Sequence, residues 1–310
     1  MKRLFFPLLA LILCAIPLQA QAPEGFETAP IAETFRKGDR LAVLAVHFGT
    51  THDDTRALTI ESLNSDLREV FPGAAFREAW TSRMVIRRLK GRGIHRDTPL
   101  EALEKLHQDG FTHVLIQPST LLEGAEMESL RRDMEQMEGE FKELRTGTPL
   151  LYSVEDCREV ARILNDEYAP RSGGDTHVVF VGHGTYTPAT ATYSQLDHIF
   201  RLEVNPAMHV ATLEGYPDFG ALLSQLKMDG ARRVILVPLL FVAGDHAKND
   251  IAEDWREELE NEGFEVEVIL AGLGENPAIR ALYAGHLRSA AELRPVNLMQ
   301  KKRDYALGKE

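Results

Sequence analysis

Residues 109–118, DGFTHVLIQP, and residues 229–238, DGARRVILVP, are two versions of one pattern placed 120 residues apart. In each, an Asp-Gly turn leads into an apolar run that ends at a proline, which is typical of a buried strand followed by a loop. The same spacing relates Gly124 to Gly244 in the loops that follow. The chain therefore contains an internal repeat, which predicts two similar structural units.

A second pair of segments lies upstream of the first. Residues 46–50, VHFGT, resemble residues 181–185, VGHGT, at points where a predicted strand runs into a turn. The 120-residue spacing also matches Glu126 with His246. Because ligands of open α/β sheets bind at the carboxyl ends of the strands, we expect these loops to face one cleft.

Apolar runs alternate with amphipathic stretches along the chain, and this alternation predicts an α/β fold of parallel sheets flanked by helices. We assign residues 36–148 to an N-terminal lobe, residues 149–295 to a C-terminal lobe and residues 296–310 to a polar tail. Residues 126–145 are predicted to form one long, charged, solvated helix. The predicted strands are 41–46, 114–116, 178–181, 210–213, 234–240 and 266–270, and the other predicted helices are 56–70, 100–108, 154–168, 218–229 and 249–262.

The first 22 residues have the organisation of a secretory signal peptide. Lys2 and Arg3 precede an apolar run over residues 4–18, and residues 20–22, AQA, form a small-x-small cleavage site. The run is shorter than a membrane span, so an uncleaved anchor is the weaker alternative. We predict cleavage after Ala22, export to the periplasm and no membrane span in the mature protein.

The composition of the 310-residue chain excludes several classes of protein. The net charge is −12, and it becomes two units more negative once Lys2 and Arg3 are removed. No basic run of the kind that binds nucleic acid is present. Cys14 leaves with the signal peptide, so Cys157 has no partner for an intrachain disulfide.

Three residues of the metal-ligand type follow predicted strands of the C-terminal lobe. His183 lies between Gly182 and Gly184, His246 follows a Gly-Asp pair, and Glu214 ends a strand. Two imidazoles and a carboxylate suit a borderline divalent ion such as cobalt, nickel, iron or zinc. The absence of thiolates from this set argues against a structural zinc site.

Taken singly, each of these residues has an ordinary structural explanation. A histidine at a strand end commonly serves as a hydrogen-bonding group, and Glu214 and Glu126 would both favour the start of a helix. Only their joint placement at strand ends indicates a site. We assign structural or surface roles to the remaining histidines considered, which are His47, His113, His177, His198, His209 and His286.

Over residues 41–287 the chain resembles the anaerobic cobalt chelatases, the sirohydrochlorin cobaltochelatases related in fold to ferrochelatase. The segments that carry the resemblance are FGT (48–50), TSRMVIRRL (81–89), DTPL (97–100), GHG (182–184), EGYP (214–217), VAGDHA (242–247) with Asn249 and Asp250, and GLGENPAIR (272–280). The resemblance implies two ferrochelatase-like lobes with the active site in the cleft between them.

The resemblance also implies roles for individual residues. His183 and His246 would be the essential histidines, Glu214 a further metal ligand, and Glu126 the family glutamate of the opposite lobe. Members of the family commonly carry a histidine where this chain has Thr120.

The function implied is insertion of a divalent metal into sirohydrochlorin or a related early tetrapyrrole, with release of two protons. Co²⁺ is the expected substrate metal, Fe²⁺, Ni²⁺ and Zn²⁺ are the alternatives, and no organic cofactor is expected. Because the substrate carries many carboxylates, we expect Arg83 and Arg56 to help bind it. A non-catalytic periplasmic protein that binds tetrapyrrole or metal, a zinc hydrolase and a homo-oligomer all stay open.

Overall fold

The computed structural model describes residues 22–23, 25–245 and 247–308. The predicted signal peptide, apart from Ala22, and His246 lie outside the described residues. The chain divides into two compact units, one formed by Ala29–Glu292 and the other by the segments on either side of it. Among the described residues, no helix is long and apolar enough to cross a membrane.

Ten strands and eleven α-helices are described. The strands are β1 (Phe26–Thr28), β2 (Leu41–His47), β3 (Ala75–Trp80), β4 (His113–Pro118), β5 (Glu143–Thr146), β6 (Thr176–Gly184), β7 (Met208–Glu214), β8 (Arg233–Pro238), β9 (Glu265–Val268) and β10 (Leu293–Pro295). The helices are α1 (Asp53–Arg56), α2 (Ser62–Val70), α3 (Arg83–Gly91), α4 (Pro99–Gln108), α5 (Ala125–Gln136), α6 (Val154–Tyr168), α7 (Ala191–Ile199), α8 (Phe219–Met228), α9 (Arg256–Asn261), α10 (Pro277–Glu292) and α11 (Leu298–Ala306). Three π-helical segments extend helices at Ala57–Glu61, Phe200–Val204 and Ala247–Trp255.

The larger unit contains two parallel four-stranded sheets of the same topology. The first has the strand order β3-β2-β4-β5 and the second has the order β7-β6-β8-β9. The predicted α/β fold with two similar lobes is therefore confirmed. In the smaller unit, β1 and β10 form an antiparallel pair.

The repeat extends to individual backbone hydrogen bonds. Ser119 N–H donates to the Val46 carbonyl at 2.9 Å, and Leu239 N–H donates to the Val181 carbonyl at 2.8 Å. In each sheet this bond fixes the start of the loop that leaves the strand after its proline. The two loops consequently leave at the carboxyl ends of their strands in the same way.

Local sequence signals account for several helix starts. Thr98 accepts a hydrogen bond from Glu101 N–H while the Glu101 carboxylate accepts one from Thr98 N–H, and Pro99 occupies the first turn of α4. The same reciprocal arrangement joins Ser153 and Asp156 at the start of α6. Such capping boxes satisfy amide groups that would otherwise lack partners.

The two sheets share one hydrophobic core. Val43 and Ala45 of the first sheet belong to the same buried cluster as Val178 and Phe180 of the second. The opposite face of each sheet has its own smaller core, covered by α4 and α5 in the first lobe and by α8 and α9 in the second.

The last helix of each repeat packs against the sheet of the other repeat. Helix α6 follows β5, yet its Tyr168 ring meets Phe180 of β6 edge-on at 5.5 Å between centroids. Helix α10 follows β9 and contacts α2, β4 and β5. On α10, the buried Tyr283 hydroxyl donates to the Ser119 carbonyl at 3.1 Å. Each sheet is therefore partly covered by the helix that ends the other repeat.

One sequence expectation is wrong. The helix predicted over residues 126–145 ends at Gln136, and Glu143–Thr146 form the edge strand β5. Arg145, expected to be solvated, is buried and donates to the Ala29 carbonyl at 2.6 Å. Pairing with β4 and this hydrogen bond, both formed by residues distant in sequence, override the local helical pattern.

Candidate functional site

His183 and Glu214 lie at the carboxyl ends of adjacent strands. In the register of β6 and β7, Gly184 is paired with Glu214, so His183 is one residue from the partner of Glu214. His183 is partly buried, with Nδ1 3.3 Å from the Gly184 carbonyl oxygen, and Glu214 is exposed. Two of the predicted ligands thus lie close together at the carboxyl ends of the strands of the second sheet.

The two side chains begin on opposite faces of that sheet. Alternation along β6 puts His183 on the face of Val181, which packs toward α8, whereas Glu214 shares the face of Val210, which packs toward α7. An ion bound by both would therefore lie beyond the sheet edge, where the strands end.

Gly184 permits this close approach of the two strand ends. Its φ is +90°, and a methyl group at its Cα would lie 1.4 Å from the Glu214 carbonyl oxygen. A side chain is therefore excluded by both backbone conformation and contact. The Gly184 N–H also donates to the Tyr193 hydroxyl at 3.3 Å, which holds the turn against α7.

Glu126 comes to the same region from the first lobe. It lies partly buried in the first turn of α5, two residues after Gly124. A methyl group on Gly124 would lie 3.7 Å from the hydroxyl oxygens of both Thr185 and Thr187. The loop that carries Glu126 therefore lies against the turn that follows His183.

The matching contact of the repeat joins the loop before position 246 to the first lobe. A methyl group on Gly244 would lie 3.9 Å from the Thr50 hydroxyl. Beside it, one carboxylate oxygen of Asp245 lies 2.7 Å from His52 Nε2, and the other lies 3.2 Å from Arg88 Nη1. The hydrogen bond from His52 lowers the pKa of Asp245, and Arg88 adds to the effect. We call the contacts of His52 and Arg88 with Asp245 the clasp.

Sequence reasoning did not identify His52. A signal was present, because Thr50 accepts the N–H of His52 at 3.2 Å just as Thr185 accepts that of Thr187. The repeat therefore matches His52 with Thr187, in a turn that faces the opposite lobe. His246, the ligand-type residue that follows Asp245, lies outside the described residues.

The two predicted substrate-binding arginines have different surroundings. Arg83 is exposed in the first turn of α3, where its charge acts on Glu101 and Asp133. Arg56 is largely buried and ion-paired, with Nη1 2.5 Å from Asp53 and Nε 2.9 Å from Glu61. A substrate carboxylate would have to displace Asp53 and Glu61 in order to bind Arg56. Arg83 has no such ion pair among the described residues, so a carboxylate could bind it without displacing a partner.

Large apolar side chains are exposed just beyond the carboxyl ends of four strands. Phe48 follows β2, Met84 follows β3, Tyr186 follows β6 and Tyr216 follows β7, and each is at least half exposed. Exposed apolar side chains gathered at one end of the sheets indicate a binding surface rather than a solvated one. With the ligand-type residues, they suit a flat apolar molecule that meets a metal ion.

Most of the chain matches a known protein family. Residues 41–292 match the model of the cobalt chelatase (CbiK) family. The chain belongs to this family. The resemblance noted from its motifs is thereby confirmed over most of its length.

Two relatives extend the match. A sirohydrochlorin cobaltochelatase of Salmonella typhimurium is 38% identical over 257 residues, covering 81% of this chain and 97% of the relative. The sirohydrochlorin cobaltochelatase CbiKC of Nitratidesulfovibrio vulgaris is 33% identical over 254 residues, covering 80% of this chain and 89% of the relative.

Solved structures of similar fold include other chelatases. The sirohydrochlorin chelatase SirB from Bacillus subtilis subspecies spizizenii, in complex with cobalt, superposes with a TM-score of 0.56 at 14% identity. SirB from Bacillus subtilis with Fe³⁺ gives a TM-score of 0.58 at 16% identity. These matches cover 81% of this cobalt chelatase family member and 95% and 96% of the respective structures, which supports the two-lobed fold.

Thr120, where the resemblance implies a histidine in other members of the family, has a distinct setting in this chain. The hydroxyl of Thr120 is buried and has no hydrogen-bond partner among the described residues. The Thr120 carbonyl, in contrast, accepts from Leu150 N–H at 3.1 Å and from the Tyr283 hydroxyl at 3.3 Å. The backbone at Thr120 is thus well fixed, while the Thr120 side chain has capacity for another hydrogen bond.

Proposed function

We propose that this chain inserts Co²⁺ into sirohydrochlorin or a related early tetrapyrrole. The observation that supports the proposal is that ligand-type residues and exposed apolar side chains lie together at the carboxyl ends of the strands of both sheets. A metal-inserting enzyme needs both groups, because the ring face of the macrocycle is flat and apolar inside its rim of carboxylates, while the ion needs nitrogen and oxygen ligands. The relatives named as sirohydrochlorin cobaltochelatases support the same substrate.

The reaction exchanges two pyrrole N–H protons for one divalent cation. The second sheet would supply the metal ligands His183, Glu214 and His246. Imidazole suits this task because it binds borderline metals reversibly and accepts protons near neutral pH. The carboxylate of Glu214 would offset part of the charge of the ion before transfer.

Glu126 would act from the opposite lobe. Its loop lies against the turn after His183, so a macrocycle held in the cleft would have this carboxylate on one side and the metal ligands on the other. A carboxylate in that position is suited to accept a pyrrole proton as the ion enters. Arg83, which is exposed beside the same strand ends, would bind a peripheral carboxylate of the substrate.

The direct test is a spectrophotometric assay of sirohydrochlorin with Co²⁺, with and without the purified protein. Enzyme-dependent appearance of the metallated product at multiple turnovers is expected, and His183→Ala should remove most of it while the protein stays folded. A change limited to one equivalent of protein would instead indicate a binding protein. Repeating the assay with Fe²⁺, Ni²⁺ and Zn²⁺ would establish the metal preference.

The roles of the two glutamates can be separated by measuring Co²⁺ binding without tetrapyrrole. Glu214→Ala should weaken it by about tenfold or more, because one ligand of three is lost. Glu126→Ala should leave Co²⁺ binding nearly unchanged and slow insertion. Calorimetric titration paired with the insertion assay decides the matter, and an equal loss of Co²⁺ affinity in both variants would contradict this division.

We also propose that the protein acts in the periplasm after cleavage behind Ala22. The proposal rests on the charged, apolar and small-residue order of residues 1–22. Intact-mass measurement of protein recovered from the periplasm should give a chain that begins at Pro23. Retention of residues 1–22 would contradict it.

A further inference from the structure

A group of metal-ligand residues lies at the end of the second sheet opposite the cleft. His177 is the second residue of β6, His209 is the second residue of β7, and Asp229 directly follows α8. Their ligand atoms all lie within 4.8 Å of one another, and among the described residues no other group of three or more His, Cys, Asp or Glu meets this condition. The three residues come from two paired strands and the end of a helix, so the backbone fixes their spacing.

The distances bracket those around a bound ion. His177 Nδ1 is 2.8 Å from His209 Nε2, and His209 Nε2 is 3.9 Å from Asp229 Oδ2. Ligands about 2.1 Å from a tetrahedral zinc ion are separated by about 3.3 Å. Small side-chain rotations would therefore bring all three atoms into a single coordination sphere.

The environment favours the protonation states that bind metal. Burial lowers the pKa of His177 and lowers that of His209 to about 4, so both imidazoles are neutral at neutral pH. The carboxylates of Asp229 and Asp175 raise the pKa of His177 and so offset part of the effect of burial, whereas the charge of Arg201 lowers the pKa of His209. A divalent ion would take the place of the proton that lies between the two rings, and this proton would move to the other nitrogen of one ring, so that both rings stay neutral while the ion pairs with Asp229.

The surrounding residues orient the ligands and leave room for solvent. Gln225 donates to both carboxylate oxygens of Asp229 at 2.9 Å, a contact that orients a ligating carboxylate. His209 is 1% exposed, and its Nδ1 has no hydrogen-bond partner in the part of the chain that the structure describes. This residue borders a cavity of about 350 Å³, which can hold water that would accept from Nδ1–H once Nε2 binds an ion.

We propose that His177, His209 and Asp229 form a second metal site, separate from the cleft, for a borderline divalent ion such as Zn²⁺ or Co²⁺. Two neutral imidazoles and one carboxylate match the preferences of these ions, and water reaching the partly exposed Asp229 supplies the fourth ligand. The ion would join β6, β7 and α8. It would be distinct from the transferred metal, because it lies at the opposite end of the sheet from the candidate ligands of the cleft.

The test measures bound metal in the full-length mature protein after chelator treatment and reloading with Zn²⁺. His183→Ala combined with His246→Ala removes both histidine ligands of the cleft, and this background should retain one equivalent of Zn²⁺. Adding Asp229→Asn or His177→Gln should weaken the remaining equivalent at least about tenfold. Loading the background with Co²⁺ should give the intense visible absorption of a four-coordinate ion.

Two controls make the result decisive. His198→Gln changes an exposed histidine on the neighbouring helix α7 and should leave the ion bound. Asp229→Asn in the otherwise unchanged protein should lose one equivalent and keep insertion activity, which separates this site from the cleft. A background protein that binds no Zn²⁺, or one that keeps it after both Asp229→Asn and His177→Gln, would show that the histidines form only a hydrogen-bonded pair.

Discussion

At the scale of single residues, Gly184 governs the distance between the candidate ligands of the second sheet. Its Cα faces the Glu214 carbonyl, and the nearest atom to an added methyl group is backbone oxygen at 1.4 Å, which cannot rotate away. The strand ends would have to separate to admit any side chain. The geometry of His183 and Glu214 therefore depends on a residue with no chemistry of its own.

Gly184→Ala should accordingly reduce Co²⁺ binding and insertion by about tenfold or more, and should destabilise the fold by about 1–3 kcal/mol. Gly139→Ala is a matched control, because Gly139 has φ +85° and no atom within 4 Å of an added methyl group. It should show the backbone cost and little loss of activity. Equal activity losses in the two variants, measured beside their unfolding free energies, would contradict this explanation.

His209 provides a pH-dependent prediction. Burial lowers its pKa to about 4, whereas an unfolded histidine titrates near about 6.5. Between these values the unfolded chain takes up a proton that the folded chain does not, so the free energy of unfolding falls as the pH falls. The contribution is intact above about pH 6.5 and is lost progressively down to about pH 4.

The stability advantage of the wild type over His209→Asn should therefore shrink on acidification. From pH 6.5 to pH 5 the difference should narrow by about 1.6 kcal/mol. Urea unfolding in the presence of chelator, which keeps metal from the site, measures both proteins at the two pH values. A difference that stays constant, or grows at low pH, would rule out a neutral buried His209.

At the scale of elements, the clasp breaks the symmetry of the two lobes. The repeat matches Asp245 with Ala125 and His52 with Thr187, so the other side of the pseudo-symmetric interface has neither partner of the His52–Asp245 contact. Of the two matching loops, the one that precedes His246 has an ion pair to the opposite lobe, between Asp245 and Arg88, and the loop around Ala125 shows none among the described residues. We interpret the clasp as a device that positions this loop.

His52→Ala should lower the insertion rate by about tenfold, because small displacements of catalytic groups have large effects on rate. Asp245→Ala should have a similar effect, and the double variant should be no worse than either single one, since both remove the same contact. His107→Ala, which breaks a 3.2 Å pair with Glu140 inside the first lobe, is the matched control and should retain activity. Additive losses in the double variant would argue against the clasp.

At the scale of the molecule, the lobes should unfold together despite their internal repeat. One buried cluster includes residues of both sheets, and α6 and α10 each pack against the sheet of the other repeat. Unfolding one sheet would expose the shared core of the second. We therefore expect a single cooperative transition.

The two tryptophans make this testable. Trp80 is buried in β3 of the first sheet, and Trp255 is buried on the outer side of the second. Trp80→Phe and Trp255→Phe leave one lobe-specific fluorophore each. In both proteins, denaturation followed by fluorescence and by far-ultraviolet circular dichroism should have the same midpoint. Distinct fluorescence and dichroism midpoints within either protein would mean that the lobes unfold separately.

The sequence by itself was sufficient for the α/β class, the family and the strand ends that carry His183 and Glu214. These features have local signals, because a buried parallel strand is a continuous apolar run and its carboxyl end is set by the residues that follow. The two strands of the first sheet that it missed, Ala75–Trp80 and Glu143–Thr146, are the edges of that sheet. Edge strands pair on one side only and so keep a mixed polar pattern.

Only the tertiary structure decided which parts of the two halves meet. The crossing of α6 and α10 depends on the fit of their apolar faces to a sheet, and the same amphipathic pattern would serve against either sheet. The clasp joins His52 to Asp245 across 193 residues, and the His177–His209 pair depends on the register of β6 and β7. Such contacts have no local signal, because they follow from packing and register after the elements have formed.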